Sequence, residues 1–122
     1  MKQYRGTRKE FGAVVTVTKE SITSKLDPRF DLRNHSPTGF EWGYGGSGPA
    51  QLALAILADH FGNDEIAQGL YQDFKFKVIG RLIENEWTLN SENIDSAIRE
   101  LKQDEATNGR IWNLSGDRRG LG

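Results

Sequence analysis

Of the ten residues from Pro49 to Ala58, Pro-Ala-Gln-Leu-Ala-Leu-Ala-Ile-Leu-Ala, only Gln51 is polar. A helix that is apolar on all sides has to be covered over most of its circumference, so the rest of the chain must wrap this one. The pattern predicts a central helix over residues 49–61, with at least three of Leu52, Leu54, Ile56 and Leu57 fully buried. Pro49 suits the first helical position because its fixed φ is already helical, which makes Gly48 the cap and leaves Ser47 just outside. Gly62 is placed to end the helix in the left-handed conformation.

The segment leading into this helix is Gly39-Phe40-Glu41-Trp42-Gly43-Tyr44-Gly45-Gly46-Ser47-Gly48, which holds five of the fourteen glycines. Phe40, Trp42 and Tyr44 alternate. An extended backbone over about 39–45 would put their rings on one face and leave the opposite face, Glu41, Gly43 and Gly45, nearly bare. A strand is expected there.

Ala13-Val14-Val15-Thr16-Val17-Thr18 is rich in β-branched residues and reads as a second strand. Lys2 to Arg8 precedes it, and Lys9-Glu10-Phe11-Gly12 has the length of a hairpin connection. Residues 19–38, with Pro28 and Pro37 among Asp, Asn and Ser, read as irregular. Ile66, Leu70, Phe74, Val78 and Leu82 fall four apart and predict a helix from about Asp64 to Ile83, with Gln72, Asp73, Lys75, Lys77 and Arg81 on its wet side. A third helix is expected from Ser91 to about Lys102, capped by Asn90 and stapled by Leu89 and Ile94.

Together these elements predict an α+β fold: a small, mainly antiparallel sheet from residues 2–18 and about 39–45, packed against about three helices. Residues 1–103 form the single domain, followed by a polar C-terminal extension, 104–122. Within that extension Arg110-Ile111-Trp112-Asn113-Leu114 reads either as an added edge strand or as part of a tail.

At 122 residues the chain is too short for a TIM barrel or a full α/β-hydrolase, which need about 200 residues or more. It has no cysteine, which excludes disulfides and thiolate zinc sites. No apolar run approaches the roughly 18 residues of a membrane span, and Met1-Lys2-Gln3-Tyr4-Arg5 does not begin an apolar leader; a cytoplasmic protein is expected. Net charge is −1, which gives no overall pull toward nucleic acid. The charge is nevertheless uneven: residues 1–33 carry eight basic and four acidic side chains, the remainder eight basic and thirteen acidic. Such asymmetry is read either as an interaction face or as two halves that attract each other in the fold.

The block from Leu26 to His60, with the string GFEWGYGGSGPAQLALAIL at its centre, resembles a family of small proteins catalogued as a domain of unknown function. The likeness extends through Tyr71, Phe74 and Lys75 to Trp87-Thr88-Leu89 and Ile94. The resemblance implies an origin in bacteria, archaea, phages or mobile elements, with a shared fold and a shared special loop, and it implies no reaction.

Gly45-Gly46-Ser47-Gly48 running into a helix exposes N–H groups at the positive end of the helix dipole, the makings of an anion site. The competing reading is a tight turn that lets the helix pack. The string has no Walker ending and no dinucleotide fingerprint. Ser47 stands between an expected strand and a helix, like a nucleophile elbow, but Pro49 occupies the second glycine position, and His35, His60 and Asp59 would have to complete the set. As metal ligands, His35, His60, Asp59 and Glu41 lack both a helical His pair and a cysteine; His60 suits the helix C-terminus, where it can bond a terminal carbonyl. Phe40, Trp42 and Tyr44, with the basic first quarter, read either as a base-stacking platform or as the core side of a sheet.

The candidate ligand-binding residues are therefore Glu41, Trp42, Tyr44, Gly45, Gly46, Ser47 and Gly48, with no catalytic residue, metal ligand or cofactor assigned. The expected function is a non-enzymatic protein-binding module of a phage or mobile element, meeting a host or self protein. The alternative is an anionic ligand, nucleotide or nucleic acid bound at residues 45–48.

Overall fold

The computed structural model describes residues 1–115, with side chains described through Asp104. Residues 116–122 of the expected extension lie outside the described residues. In chain order the elements are β1 (Lys2–Lys9), β2 (Gly12–Lys19), β3 (Ile22–Lys25), α1 (Ser47–Phe61), α2 (Asp64–Lys77), a 3-10 turn (Ile79–Arg81), β4 (Glu86–Asn90) and α3 (Ser91–Ser115). The four strands form one antiparallel sheet in the order β3-β2-β1-β4. The fold is α+β.

β1 and β2 pair from Lys2↔Lys19 to Lys9↔Gly12 around the two-residue turn Glu10-Phe11, with Gly12 at φ 128. In this register Tyr4, Gly6 and Val15 face inward with Trp87 of β4, and Gly6 leaves the space that the Trp87 indole fills. The expected strand over 39–45 does not form. Gly43, at φ 92, turns the chain there, and its N–H bonds Ile79 O at 3.0 Å, so the alternation of the three rings never becomes a face. The strand beside β1 is β4, whose Trp87 and Leu89 lie opposite Gly6 and Tyr4.

Three further elements differ from expectation. α2 ends at Lys77, and the 3-10 turn Ile79–Arg81 stands where the helix is expected to run on to Ile83. β3 arises within the stretch read as irregular, because Glu20 and Ser21 adopt positive φ and make a tight primed turn of the kind normally given to glycine or asparagine. α3 continues to Ser115, so Arg110–Leu114 is helical rather than an edge strand. Its start is as expected: Asn90 and Asn93 exchange backbone-to-side-chain bonds of 2.9 and 2.8 Å, an asparagine version of the capping box.

α1 is buried from Gly48 to Ala58, and Leu52, Leu54, Ile56 and Leu57 are each 0% exposed. Gly62, at φ 62, closes the helix by donating to Ala58 O. Around α1 lie Tyr4, Val15 and Trp87 from the sheet, Ala67, Tyr71 and Phe74 from α2, Ile94 and Ile98 from α3, and Leu26 and Trp42 from the connecting loop. The single polar residue of the apolar run, Gln51, fastens that loop to the helix. Its Nε2 donates to Pro28 O (2.6 Å) and Arg33 O (3.0 Å), and its Oε1 accepts from the N–H groups of His35 (2.7 Å) and Ser36 (3.3 Å). All four hydrogen-bonding positions of the amide are filled.

Candidate functional site

α1 starts two residues earlier than Pro49 suggests. Gly46 is the cap at φ −95, Ser47 is the first helical residue, and the Ala50 N–H bonds Gly46 O at 3.1 Å. Gly48 is therefore inside the helix rather than its cap. Pro49 still fits, because none of the first turn's N–H groups has a partner within the helix. The first turn contains no acidic residue, and no side chain caps it.

The loop before it is folded against three neighbours. The Tyr44 ring lies back over Gly46, where a Cβ would collide with it, and its hydroxyl reaches to 3.4 Å from the Cβ position of Gly48. Gly48 also abuts Glu41, whose Cβ is 2.7 Å from that position. Gly45 meets the edge of the Phe76 ring, 3.1 Å from its own Cβ position. Gly48 is buried, whereas Gly45 and Ser47 are exposed. The loop is thus both a packing turn, at Gly48, and an open surface, at Gly45 and Ser47.

The seven candidate residues separate accordingly. Trp42 is fully buried, edge-on to Trp87 with ring centroids 5.5 Å apart, and its Nε1 donates to Glu84 O at 2.8 Å. Phe40 is packed partly against the core, and Tyr44 is 53% exposed, so the three aromatics make no common platform. Glu41 is held by Arg8: Nε and Nη2 donate to its Oε1 at 3.1 and 2.9 Å, while Nη2 also donates to Trp42 O. The Arg8 guanidinium lies 4.5 Å above the Trp42 ring.

The residues weighed for catalysis or metal binding are engaged in different places. His35 Nε2 meets Tyr71 Oη at 2.8 Å, and His60 Nε2 meets Asp95 Oδ1 on α3 at 2.7 Å rather than a terminal carbonyl. Asp59 accepts from Tyr4 Oη at 2.6 Å and pairs with Lys2 at 3.2 Å. Thirteen helical steps of about 1.5 Å put His60 roughly 20 Å along α1 from Ser47. Among the described residues no group of three His, Asp or Glu gathers as a metal site.

Burial, then the bond to Asp59 and its negative charge, push the Tyr4 phenol well above the ordinary phenol range. Exposed Asp31 is held below the usual carboxylate range by the bonds from Arg29.

Four of the eight basic residues of the first quarter are paired with acids, while Lys9, Lys19, Lys25 and Arg33 are exposed and have no ion pair among the described residues. Lys2, Arg5 and Arg8 pair with Asp59, Glu86 and Glu41, and Arg29 pairs with both Asp31 and Asp64.

Residues 4–100, which include the whole loop and everything packed on it, match a family of unknown function. The chain belongs to DUF6166. The span matched by DUF6166 runs from β1 into α3, so it contains both the sheet and the central helix. Neither a curated protein nor a solved structure matches the chain. Among the described residues no helix is long and apolar enough to cross a membrane.

Two residues at the site have roles that the helix pattern alone does not give. The apolar stripe of α2 puts Lys75 on the wet side, yet it is 6% exposed; the signal is its position four residues after Tyr71, on the buried edge of α2. Phe76, off the apolar stripe, is 60% exposed and borders Gly45. An aromatic on the wrong face of an amphipathic helix is the clue.

Proposed function

We propose that this member of DUF6166 is a non-enzymatic protein-binding module that meets its partner with the end of the molecule where α1 begins. Three connections converge there. The Arg8 N–H donates to Asn85 O at 2.9 Å, which brings the β1–β2 turn beside the entry to β4. Gly43, with its Cβ position 3.0 Å from Leu82 O, brings the glycine loop to the same end.

The observation that carries the reading is that four of the eight exposed large hydrophobic side chains among the described residues lie at this end: Phe11 at 96%, Ile83 at 82%, Phe76 at 60% and Tyr44 at 53%. Large apolar side chains in water cost about 25 cal/mol per Å² of area left uncovered. When they concentrate on one end they mark a surface that is covered in use, and aromatic residues are the types that dominate binding energy at interfaces. The separate engagement of His35, His60, Asp59 and Glu41 supports a binding role over a catalytic one. The phage or mobile-element origin implied by the sequence resemblance suits a small module of this kind.

The test is capture from a host lysate by immobilised protein, compared with the double variant Phe11→Asp/Ile83→Asp. Both residues are exposed, so the variant should melt with the wild type. The expected result is a protein bound by the wild type and lost from the variant. Equal capture by both, or no captured protein, overturns the reading.

A further inference from the structure

β3 ends the sheet, and all four of its residues are exposed. The Leu26 N–H donates to Val15 O at 3.0 Å. Antiparallel bonds alternate, so Ser24 and Ile22 also turn their backbone groups toward β2. Thr23 and Lys25 turn theirs outward, and among the described residues no backbone hydrogen bond uses them. Sheet edges are normally blunted by proline, a bulge or an inward-pointing charge. β3 has none of these: it runs one-to-one with β2 over its whole length, and its short length is its one protection. The opposite edge is better closed, because the outward N–H of Asn90 on β4 is taken by Asn93 Oδ1 at 2.9 Å and α3 starts at the next residue.

A knob and a hole lie along this edge. Ile22 pairs with Lys19, which pairs with Lys2, so its side chain stands on the helix face of the sheet, the face of Tyr4. Yet Ile22 is 72% exposed. Further along the same face, Leu26 borders a hollow of ≈370 Å³ whose other walls include Ala55, Ala58 and Gly62.

We propose that the chain pairs with a second copy of itself through β3, antiparallel about a two-fold axis at Ser24. Thr23 then exchanges both backbone bonds with the partner's Lys25, and Lys25 with the partner's Thr23, so every outward group of the strand is used. In this register Ile22 falls opposite the partner's Leu26 and fills the hollow beside it, and the symmetry repeats the contact in reverse. An axis at Lys25 would set two like charges directly opposite, which is unfavourable. An axis at Thr23 would oppose Lys25 to Ser21, which positive φ takes out of the strand. The two sheets become one, and the two-fold closes the assembly at two copies. Ala55, Ala58 and Gly62 belong to the far end of α1 from the exposed aromatics, so the apolar end stays free in the dimer and this inference does not rest on the preceding reading. The contact is small beside the roughly 1,200–2,000 Å² of a standard stable interface, so the dimer forms in a concentration-dependent way.

Sedimentation equilibrium of the full chain over roughly 10 μM to 1 mM spans the affinity of so small a contact. The expected result is a mass that rises from one copy to two and no further. Ile22→Asp removes the knob at an exposed position, and Lys25→Pro removes an outward N–H that β2 does not use. Each should weaken the dimer at least about tenfold, while Thr88→Pro, at the matching outward position of β4, leaves it unchanged; thermal melts check that each variant is folded. Cross-linking reads the register independently. The chain has no cysteine, and Ser24→Cys sets one thiol opposite its own copy with Cα atoms about 4.5 Å apart, within disulfide reach. It should oxidise to a covalent dimer, whereas Ile22→Cys, whose copies lie roughly 13 Å apart along the strands, should not. A monomer at every concentration overturns the proposal and leaves the edge to an extended segment of another protein. A dimer unweakened in the folded Ile22→Asp and Lys25→Pro variants, a dimer lost with Thr88→Pro instead, or Ser24→Cys cross-linking no faster than Ile22→Cys, overturns it equally.

Discussion

Replacing Gln51 with leucine removes one amide from the middle of α1 and leaves four backbone groups without their partner. The carbonyls of Pro28 and Arg33 lose a donor, and the N–H groups of His35 and Ser36 lose an acceptor. A protein hydrogen bond is worth about 1 kcal/mol net, and a buried group left unpaired costs about 1–3 kcal/mol. Arg33 is exposed and Pro28 half-buried, so water can reach those two carbonyls once the loop loosens, which cuts their share. Ser36 is 8% exposed, and its N–H has no such relief. Leucine is close in size and returns part of the loss as apolar burial. The balance is a destabilisation of about 2–4 kcal/mol, a large part of the roughly 5–15 kcal/mol that holds a domain together. Urea unfolding should show a lower midpoint at an unchanged slope, and hydrogen exchange should show lost protection at His35 and Ser36 before any change in α1. A midpoint within about 0.5 kcal/mol of the wild type, or intact protection at those two amides, would refute the argument that Gln51 fastens the loop.

Gly48→Ala should cost about 1–3 kcal/mol by overpacking against the Glu41 Cβ and backbone N. Gly46→Ala should cost less than about 1 kcal/mol, because φ −95 suits alanine and the half-exposed Tyr44 ring can swing away; chemical denaturation of the pair checks the order. Trp42→Ala should cost about 3–5 kcal/mol, since the ring is fully buried, and an unchanged melting temperature would contradict its place in the core. Tyr4 has its folded-state pKa raised, so its contribution is complete below about pH 10, where an unfolded tyrosine begins to ionise. It declines above that pH by up to about 1.4 kcal/mol per unit. The stability advantage of wild type over Tyr4→Phe should therefore shrink from pH 10 upward, and a constant difference would refute the assignment.

The parts of the fold legible in the sequence are those set by local chemistry. An all-apolar run needs cover, Gly62 takes a left-handed cap without strain, and Asn90 can cap the helix that starts at Ser91. Each statement involves only neighbouring residues. The strand at 39–45 fails because its alternation is real but unused: glycine permits φ 92 at Gly43 without announcing it. β4 is hidden in a five-residue segment whose inward pair, Trp87 and Leu89, acquires meaning only beside Gly6 and Tyr4. β3 depends on Glu20 and Ser21 in a conformation that neither residue advertises.

At the loop, the glycines that look equivalent have different duties. Gly48 is filled from outside by Glu41, Gly46 lies under Tyr44, and Gly45 borders Phe76, so a glycine count foretells close packing but not which backbone stays open. The charge pattern divides in the same way. Of the eight basic residues in the first quarter, exposed Lys9, Lys19, Lys25 and Arg33 have no ion pair among the described residues, whereas Lys2, Arg5, Arg8 and Arg29 reach acids both near and far in the chain. Paired charges of that kind cancel at distances beyond a Debye length, so they do little to steer a partner.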